Sequence, residues 1–393
     1  MSGREGTYET WHPGLTSAAD NIGAILAVAD WLSRTARSGG QKPLTMENVL
    51  LGLIKAYEIQ GCLQICNTFN QIGLDHTFLV KIASTAIVSW LLGLTEIQSM
   101  DALSQAWMDN APLRVFRHHP NTGPRKGWAA GDACMRAVHL TWLTIKGQPG
   151  APTVLTTPSW GFYSTFLNGR EFEIPGPLGT RVVESVFFRI YEVEEHATSA
   201  LEAAVEVSGV VKEAGLSVID DIAHVHVRTH QAALISSDKQ GPLHNAADRY
   251  HCMPYTIAVA LLKGSMTESA DYQSVSPWAN DPCVEALRKK IDLVEEPQFT
   301  ADYHDHNKRS ASSGLTVTLK DGTKIEEVVR EYPLGHPRRE ETISSVRKKL
   351  KKNVEGWYGK GEKAQNILRL EPLKEELFRT MPVCNFVDRF AGE

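Results

Sequence analysis

Apolar residues recur at helical spacing from residue 18 to about residue 150, and this long run constrains the fold more than any other feature of the 393-residue chain. Its first segment starts after Ser17, a good N-cap, and stops at Gly39-Gly40, which a helix tolerates badly. A second helix is predicted to begin near Thr45 and to continue through ENVLLGLIKAYEIQG. The whole run predicts a helical domain of four or more helices.

Two later segments of this run indicate where helices lie in the bundle. The stretch HTFLVKIASTAIVSWLLGL, residues 76–94, is apolar on nearly all sides, which is typical of a helix buried in the middle of a bundle. Thr95 and Gln98 then have the spacing of a capping box, which predicts a new helix that continues through Trp107.

After about Val182 the pattern becomes mixed. A helix is predicted from His196 to Lys212, and IAHVHVRTH, residues 222–230, alternates as a half-exposed strand does. Residues 315–333 predict two strands joined by a turn at Asp321-Gly322, a strong hairpin signal. Between them DPCVEALRKKIDLV, residues 281–294, is predicted to be helical.

Helical spacing returns after Glu340, in ISSVRKKLKKNVEGW and LEPLKEELFRTM. We therefore expect a mostly α protein that carries an α+β lid. The expected ranges are a helical domain over 1–184, an α+β lid domain over 185–334, and C-terminal helices over 335–393 that pack back on the helical domain.

Charge and composition exclude several classes of protein. With 41 Lys+Arg and 46 Asp+Glu the net charge is -5, so nucleic acid is not an expected partner. The basic run Arg347 to Lys352 is interpreted as a solvated helix face, with a membrane-surface role as the alternative. We expect no secretion or import signal from the N-terminal residues given, and no uncharged apolar stretch has the length of a membrane span.

The six cysteines do not indicate a cofactor. They contain no CxxC pair, so neither a zinc ribbon nor a disulfide framework is predicted, and a reducing compartment fits. Cys62 and Cys66 could share a helix face, and we interpret them as structural thiols rather than as metal ligands.

A cationic stretch is the first candidate for chemistry. RVFRHHPNTGPRKGWAAGD, residues 114–132, combines four cations and two histidines in a loop and the start of a helix. Such a loop suits a tricarboxylate, because arginine forks and a helix N-terminus supply the donors that several carboxylates need. The alternative is a surface loop whose charges are only solvated.

Three more polar stretches are candidates. His76 stands at a helix entrance and could act as an acid or base, or could be a structural histidine. PLHNAADRYHCMPY, residues 242–255, groups hydrogen-bonding side chains for a carboxylate or hydroxyl. TADYHDHNKR, residues 300–309, is rich in His and Asp but lacks the spacing of a metal site, so no metal is expected.

At these stretches the chain resembles the MmgE/PrpD family, which contains 2-methylcitrate dehydratases and cis-aconitate decarboxylase. The strings are GLDHTFLVKIAST (73–85), HPNTGPRKGWAAGDA (119–133), PLHNAADRYHC (242–252), FTADYHDHNKR (299–309) and EEVVREYPLGHPRR (326–339). The likeness extends from about Asp20 to Phe390. It implies a helical body with an α+β lid, an active site in the cleft between them, and no metal or other cofactor.

The resemblance also assigns residues. Matching positions imply a catalytic set of His76, Lys126, His251 and Tyr255, and we expect carboxylate binding by Arg117, His119, Arg125 and Arg249. The implied reaction removes water next to a carboxylate, so a base takes a weakly acidic proton, an acid protonates the leaving hydroxyl, and cations hold the charge. The sequence leaves open which group is the base.

The chain departs from the family pattern at two places. Family members begin upstream and have a His-Pro-Ser-Asp-Asn segment, whereas here Asp20 follows TSAA, so we expect an N-terminal part to be missing. The family histidine has no aligned counterpart, and His12 is the candidate to substitute for it if the loop folds differently. RIYEVEEH, residues 189–196, stands where the family has a Lys and a Ser-Phe-Pro turn, and it brings glutamates to a region expected to meet an anion.

The expected function is the dehydration of 2-methylcitrate in propionate breakdown, in the cytoplasm or mitochondrial matrix. The alternatives are an alkylcitrate dehydratase of a biosynthetic pathway and a truncated, catalytically silent relative that only binds an anion or a partner. No nucleic acid or membrane is expected as a partner, and apolar surface left by absent N-terminal helices would be consistent with a homodimer or with poor solubility.

Overall fold

The structure is a computed structural model that describes residues 17–67, 69–118, 120–305, 307–371 and 375–391. Contacts divide the chain into two compact units. Unit 1 is Met1–Arg114, Gly127–Val186 and Arg347–Glu393, and unit 2 is Val115–Lys126 and Phe187–Val346. This division differs from the domains expected from the sequence at residues 115–126 and 335–346, both of which it groups with unit 2; the expected domains stay a prediction.

Unit 1 is built from helices. Its described helices are α1 Ile22–Ser38, α2 Met46–Cys66, α3 Thr77–Leu91, α4 Glu96–Met108, α5 Arg125–Ile145, α6 Phe162–Phe166, α7 Arg181–Glu184, α15 Thr342–Tyr358, α16 Glu362–Leu368, α17 Glu375–Arg379 and α18 Val383–Asp388. The first residues of α5 and of α15 belong to unit 2. The numbers α8 to α14 belong to unit 2. The predicted capping box is present, since Thr95 Oγ1 accepts the backbone N–H of Gln98 at 3.3 Å.

The predicted central helix is α3. Phe78, Leu79 and Val80 are completely buried, because α3 packs against α1, α2 and α4 on different sides. A cluster of aromatic rings around Phe162 continues this core. The C-terminal α18 contacts α1, where Arg34 Nη2 lies 2.6 Å from Asp388 Oδ1.

The first helix differs from its prediction at one end. The chain after Ser17 forms a 3-10 turn, and α1 begins only at Ile22. The reason is the side chain of Asn21, which is buried and donates to Gln60 Oε1 at 2.8 Å, so that its contacts set the entry into the helix. The other end is as predicted, because α1 ends before Gly39 and Gly40 has φ +70°.

By length and composition α2 is the one helix in the described ranges that could cross a membrane. A core helix of a globular protein passes the same criterion. The contacts of α2 are those of a core helix: it packs against α3 and α7, and it buries Glu58 and Gln60.

Unit 2 is α+β. Its described helices are α8 Thr198–Glu213, α9 Gln231–Ser237, α10 Ala246–Tyr250, α11 Met253–Lys263, α12 Ser269–Tyr272, α13 Pro282–Arg288 and α14 Pro297–His304. Its strands are β1 Ile222–Thr229, β2 Ile291–Glu295, β3 Ser313–Leu319 and β4 Lys324–Arg330. They form a four-stranded sheet in the order β2-β1-β3-β4, and α8 and α11 pack on it.

The mostly α fold with a smaller α+β part is confirmed, and one element was predicted wrongly. Residues 281–294 were expected to be one helix, but α13 ends at Arg288 and the chain continues as β2. The cause is a partner distant in sequence: β2 pairs in parallel with β1, with Leu293 opposite Val227. Helical spacing in a short window carries no information about such a partner.

Candidate active site

Lys126 lies in the first turn of α5, where its backbone N–H donates to Gly123 O at 3.2 Å. The loop before it is anchored at Thr122. Lys239 Nζ donates to Thr122 Oγ1 at 2.7 Å, and Asn245 Nδ2 donates to Thr122 O at 3.0 Å. These contacts, all within unit 2, fix the loop that leads into the helical turn carrying Lys126.

His251 follows α10, a short helix that begins at a polar N-cap. Asn245 is its N-cap and accepts the backbone N–H of Asp248 at 3.1 Å. The backbone N–H of His251 donates to Ala247 O at 3.1 Å, so the histidine closes the last turn before α11 begins. Its side chain is buried.

The structure brings Lys126 and His251 into direct contact, through Lys126 Nζ and His251 Nε2. Burial lowers the pKa of Lys126 to about 7, and the cations Arg189, Arg117 and Lys239 also lower it, against the opposing charge of Glu194. Burial and the charge of Lys126 hold the pKa of His251 well below its usual range.

These shifts define the protonation of the pair. Below about pH 7 Lys126 is an ammonium that donates to a neutral imidazole, and above it both groups are neutral. If His251 Nε2 accepts the hydrogen bond from Lys126, the ring proton of His251 is on Nδ1. That atom is buried and has no hydrogen-bond partner in the part of the chain that the structure describes. The pair can therefore accept or release one proton near neutral pH.

The other predicted residues of the cationic stretch have different surroundings. Arg117 is close enough to lower the pKa values of both Lys126 and His251. The guanidinium of Arg125 lies 5.4 Å from the ring centroid of Phe116. His119, like His12 near the N-terminus, lies outside the described residues, so its predicted role stays a prediction.

Arg249 and Tyr255 lie beside a cavity of about 340 Å³ that is also lined by Trp278. Arg249 Nε donates to Tyr272 O at 2.6 Å, and its Nη2 donates to Ser274 Oγ at 2.8 Å. The hydroxyl of Tyr255 donates to Asp271 O at 2.9 Å. Burial raises the pKa of Tyr255 to about 12. These contacts favour structural roles for both residues; their expected parts in catalysis and binding stay predictions.

His76 belongs to unit 1 and stands at the N-cap of α3. Its Nε2 lies 3.6 Å from Asp20 Oδ2 and its Nδ1 lies 3.7 Å from Asp75 Oδ1. Asp75 is completely buried and accepts the hydroxyl of Thr77 at 2.9 Å. Two carboxylates can thus orient the imidazole of His76, which suits an acid–base residue; its catalytic role stays a prediction.

The glutamates of residues 189–196 are engaged inside unit 2. Glu194 accepts the backbone N–H of His196 at 2.9 Å and the hydroxyl of Ser237 at 3.0 Å. Glu195 lies 3.3 Å from Arg189, and Glu192 accepts the backbone N–H of Ser269. These carboxylates therefore form hydrogen bonds and an ion pair with groups of unit 2.

Sequence reasoning missed Tyr250 and Lys239 as neighbours of the pair. Lys126 Nζ lies 4.1 Å from the ring centroid of Tyr250, whose hydroxyl accepts from Arg189 Nη1 at 2.8 Å. Tyr250 directly precedes His251, so adjacency in the sequence was the available signal. For Lys239 no local pattern marks the contact.

His, Cys, Asp and Glu side chains form no group of three or more that could hold a metal ion within the ranges that the structure describes. Of the His/Asp-rich stretch, His306 lies outside those ranges. The expectation of a reaction without a metal stays a prediction.

Comparison with known proteins finds relatives along most of the chain. Family profiles described as the MmgE/PrpD N-terminal domain and the MmgE/PrpD C-terminal domain match residues 8–175 and 191–372. The chain is 50% identical over 374 residues to "2-methylcitrate dehydratase-like protein oryR" of Aspergillus oryzae, covering 95% of this chain and 75% of that protein. It is 47% identical over 375 residues to a 2-methylcitrate dehydratase of Cupriavidus necator, covering 95% of this chain and 76% of that protein. It is 45% identical over 389 residues to "Alkylcitrate dehydratase phiI" of a fungal species, covering 98% of this chain and 75% of that protein.

Proposed function

Because this chain belongs to the MmgE/PrpD family, we propose that it is a hydro-lyase that dehydrates 2-methylcitrate to 2-methyl-cis-aconitate. The observation that carries the proposal is the contact between Lys126 and His251. A half-buried amine next to a buried imidazole, with a proton exchanged near pH 7, suits a reaction that moves protons at a carbon next to a carboxylate.

The proposed reaction breaks two bonds of the substrate. The Lys126–His251 pair, neutral above about pH 7, takes the proton from the methyl-bearing carbon. The electron pair of that C–H bond forms the alkene, and the hydroxyl on the neighbouring carbon leaves with a proton from an acid, as water. The pair then carries the proton taken from the substrate carbon, and the acid has lost its own proton to the departing water. Transfer of one proton from the pair to the acid completes the cycle.

The cations near the pair supply charge for the substrate. Arg117, Arg189 and Lys239 all act electrostatically on both Lys126 and His251. A tricarboxylate brought to this region would meet several positive charges, which stabilise both its carboxylates and the negative charge that develops when the proton is removed. Small-molecule tricarboxylates are therefore the proposed substrate class.

A second candidate is dehydration of a citrate with a longer alkyl chain. It is supported by the 45% identity to the alkylcitrate dehydratase phiI over 98% of this chain. The proton-transfer chemistry would be the same, and only the space for the alkyl group would differ.

The cytoplasm or the mitochondrial matrix remains the expected compartment. A homodimer remains the expected alternative to a monomer.

The test incubates the purified protein separately with 2-methylcitrate, citrate and longer alkylcitrates, and follows the ultraviolet absorbance of the conjugated alkene. We expect the fastest rise with 2-methylcitrate. A rise with longer chains alone would support the second candidate. No rise with any of them would support a catalytically silent relative.

Variants connect the activity to the pair. Lys126→Met and His251→Gln should each lower kcat by roughly 10²–10⁴-fold. The matched controls are His139→Gln and Lys146→Met, exposed residues in the last turns of α5 and just beyond its end, which should leave kcat unchanged. Activity retained in both site variants would exclude the pair as the proton-transfer group.

A further inference from the structure

Tyr250 and His251 are adjacent in the chain, and both of their side chains contact the end of Lys126. The two rings meet edge to face, with centroids 5.3 Å apart and an interplanar angle of 63°. Lys126 Nζ contacts His251 Nε2 and lies 4.1 Å from the ring centroid of Tyr250. The amine therefore sits between an imidazole nitrogen and an aromatic face.

The ring of Tyr250 is itself held in place. Its hydroxyl accepts from Arg189 Nη1 at 2.8 Å, and Arg189 Nη2 lies 3.3 Å from Glu195 Oε2. The ring also packs edge to face on Tyr272, with centroids 5.5 Å apart. Two independent contacts thus fix the plane that faces the ammonium.

We propose that Tyr250 is the positioning residue of the proton-transfer pair: its ring face holds the Lys126 ammonium against His251, and its hydroxyl is oriented by Arg189. This inference rests on the proposed function and deepens it. A cation over an aromatic face is attracted by the negative electrostatic potential of the ring, and the attraction grows when the cation is shielded from water.

The charges around Lys126 explain why such a contact is needed. Burial and the cations Arg189, Arg117 and Lys239 all disfavour the ammonium, and only Glu194 among the main contributors favours it. His251 is neutral and offers a lone pair without a charge. The ring of Tyr250 therefore adds to the effect of Glu194 in stabilising the charged form of Lys126.

A competing role for Tyr250 is that of the acid that protonates the leaving hydroxyl. Burial raises the pKa of Tyr250, and Arg189 opposes that shift. The two roles differ in what the hydroxyl must do. A positioning ring keeps most of its effect as phenylalanine, whereas an acid loses its proton donor completely.

The experiment measures the protonation of Lys126 without turnover. The whole protein is labelled with acetic anhydride at a series of pH values, and mass spectrometry of the peptide containing Lys126 gives the midpoint of its reactivity. We expect Tyr250→Leu to move this midpoint down by roughly 0.4–1 pH unit, since the lost cation–π contact favoured the charged form. Tyr250→Phe should leave the midpoint unchanged and keep at least a tenth of kcat.

Controls separate positioning from folding. Tyr358→Leu removes another ring that faces a lysine, Lys363, in unit 1, and it should not move the Lys126 midpoint. If Tyr250→Leu does not fold, Tyr250→Met removes the ring with an adaptable side chain. An unchanged midpoint in the folded Leu or Met variant overturns the proposal, as does loss of turnover in Tyr250→Phe. Because the midpoint requires no substrate, a failed dehydration assay leaves this result interpretable.

Discussion

Lys239 donates a hydrogen bond from Nζ to Thr122 Oγ1 over 2.7 Å, and this contact ties the loop before Lys126 to the body of unit 2. Lys239 is buried, and its second partner, Asp248 Oδ1, is farther away at 3.4 Å. Burial lowers the pKa of Lys239. The hydroxyl of Thr122 is therefore the nearer acceptor of a buried amine.

Thr122→Val should reduce the free energy of unfolding by about 1–3 kcal/mol, because the isosteric methyl group leaves the buried amine without its nearer acceptor. Chemical denaturation measures the change, and KM for the tricarboxylate should rise with it. Thr122→Ser keeps the hydroxyl and is the control. A valine variant as stable as the serine variant would show that the contact contributes nothing.

The pH dependence of kcat/KM should follow Lys126. Burial lowers its pKa to about 7, so the amine is protonated below that pH and neutral above it. If the pair accepts the substrate proton, kcat/KM rises with pH through about 7 and then levels. Lys126→Arg, which stays charged, should have a low kcat/KM without this rise. The same rise in the arginine variant would assign the ionisation to another group.

His76→Gln should lower kcat by roughly 10²–10⁴-fold and leave the free energy of unfolding nearly unchanged, as expected for a catalytic acid or base. The glutamine keeps a donor and an acceptor near Asp20 and Asp75, whose carboxylates lie 3.6 and 3.7 Å from the ring nitrogens. Steady-state kinetics and thermal unfolding are measured on the same preparations. A destabilised variant with normal kcat would instead make His76 a structural histidine.

Gly61→Ala should destabilise unit 1 by about 1–3 kcal/mol, because a Cβ at this position of α2 would meet Val182 Cγ1 at 2.5 Å. Val182 cannot easily move, since its backbone N–H donates to the buried Glu58 at 2.9 Å. Chemical denaturation measures the loss, and Val182→Ala in the same chain should recover part of it.

The control for this substitution is Gly209→Ala. Gly209 lies in α8, and a Cβ there would meet nothing within 4 Å. Alanine should therefore stabilise the helix by about 0.5–1 kcal/mol. Equal effects at the two glycines would mean that helix propensity, and not the contact with Val182, decides the result.

Local sequence patterns are sufficient to predict most of the helices. The capping box at Thr95, the end of α1 at Gly39 and the mostly apolar surface of α3 each depend on a few neighbouring residues, so a short window contains the necessary information. The strand β2 was missed because its stability comes from pairing with β1, which precedes it by more than sixty residues, as the pair His226 and Asp292 shows.

The same distinction applies to the site. The sequence by itself determined that Lys126 and His251 are polar residues at helix ends, in strings typical of one family. Only the tertiary structure decided that these two side chains, 125 residues apart in the chain, touch each other, and that Tyr250 and Arg189 complete the contact. The physical reason is that buried contacts such as that of Lys239 with Thr122 fix the loop geometry, and such contacts arise only when distant segments pack together.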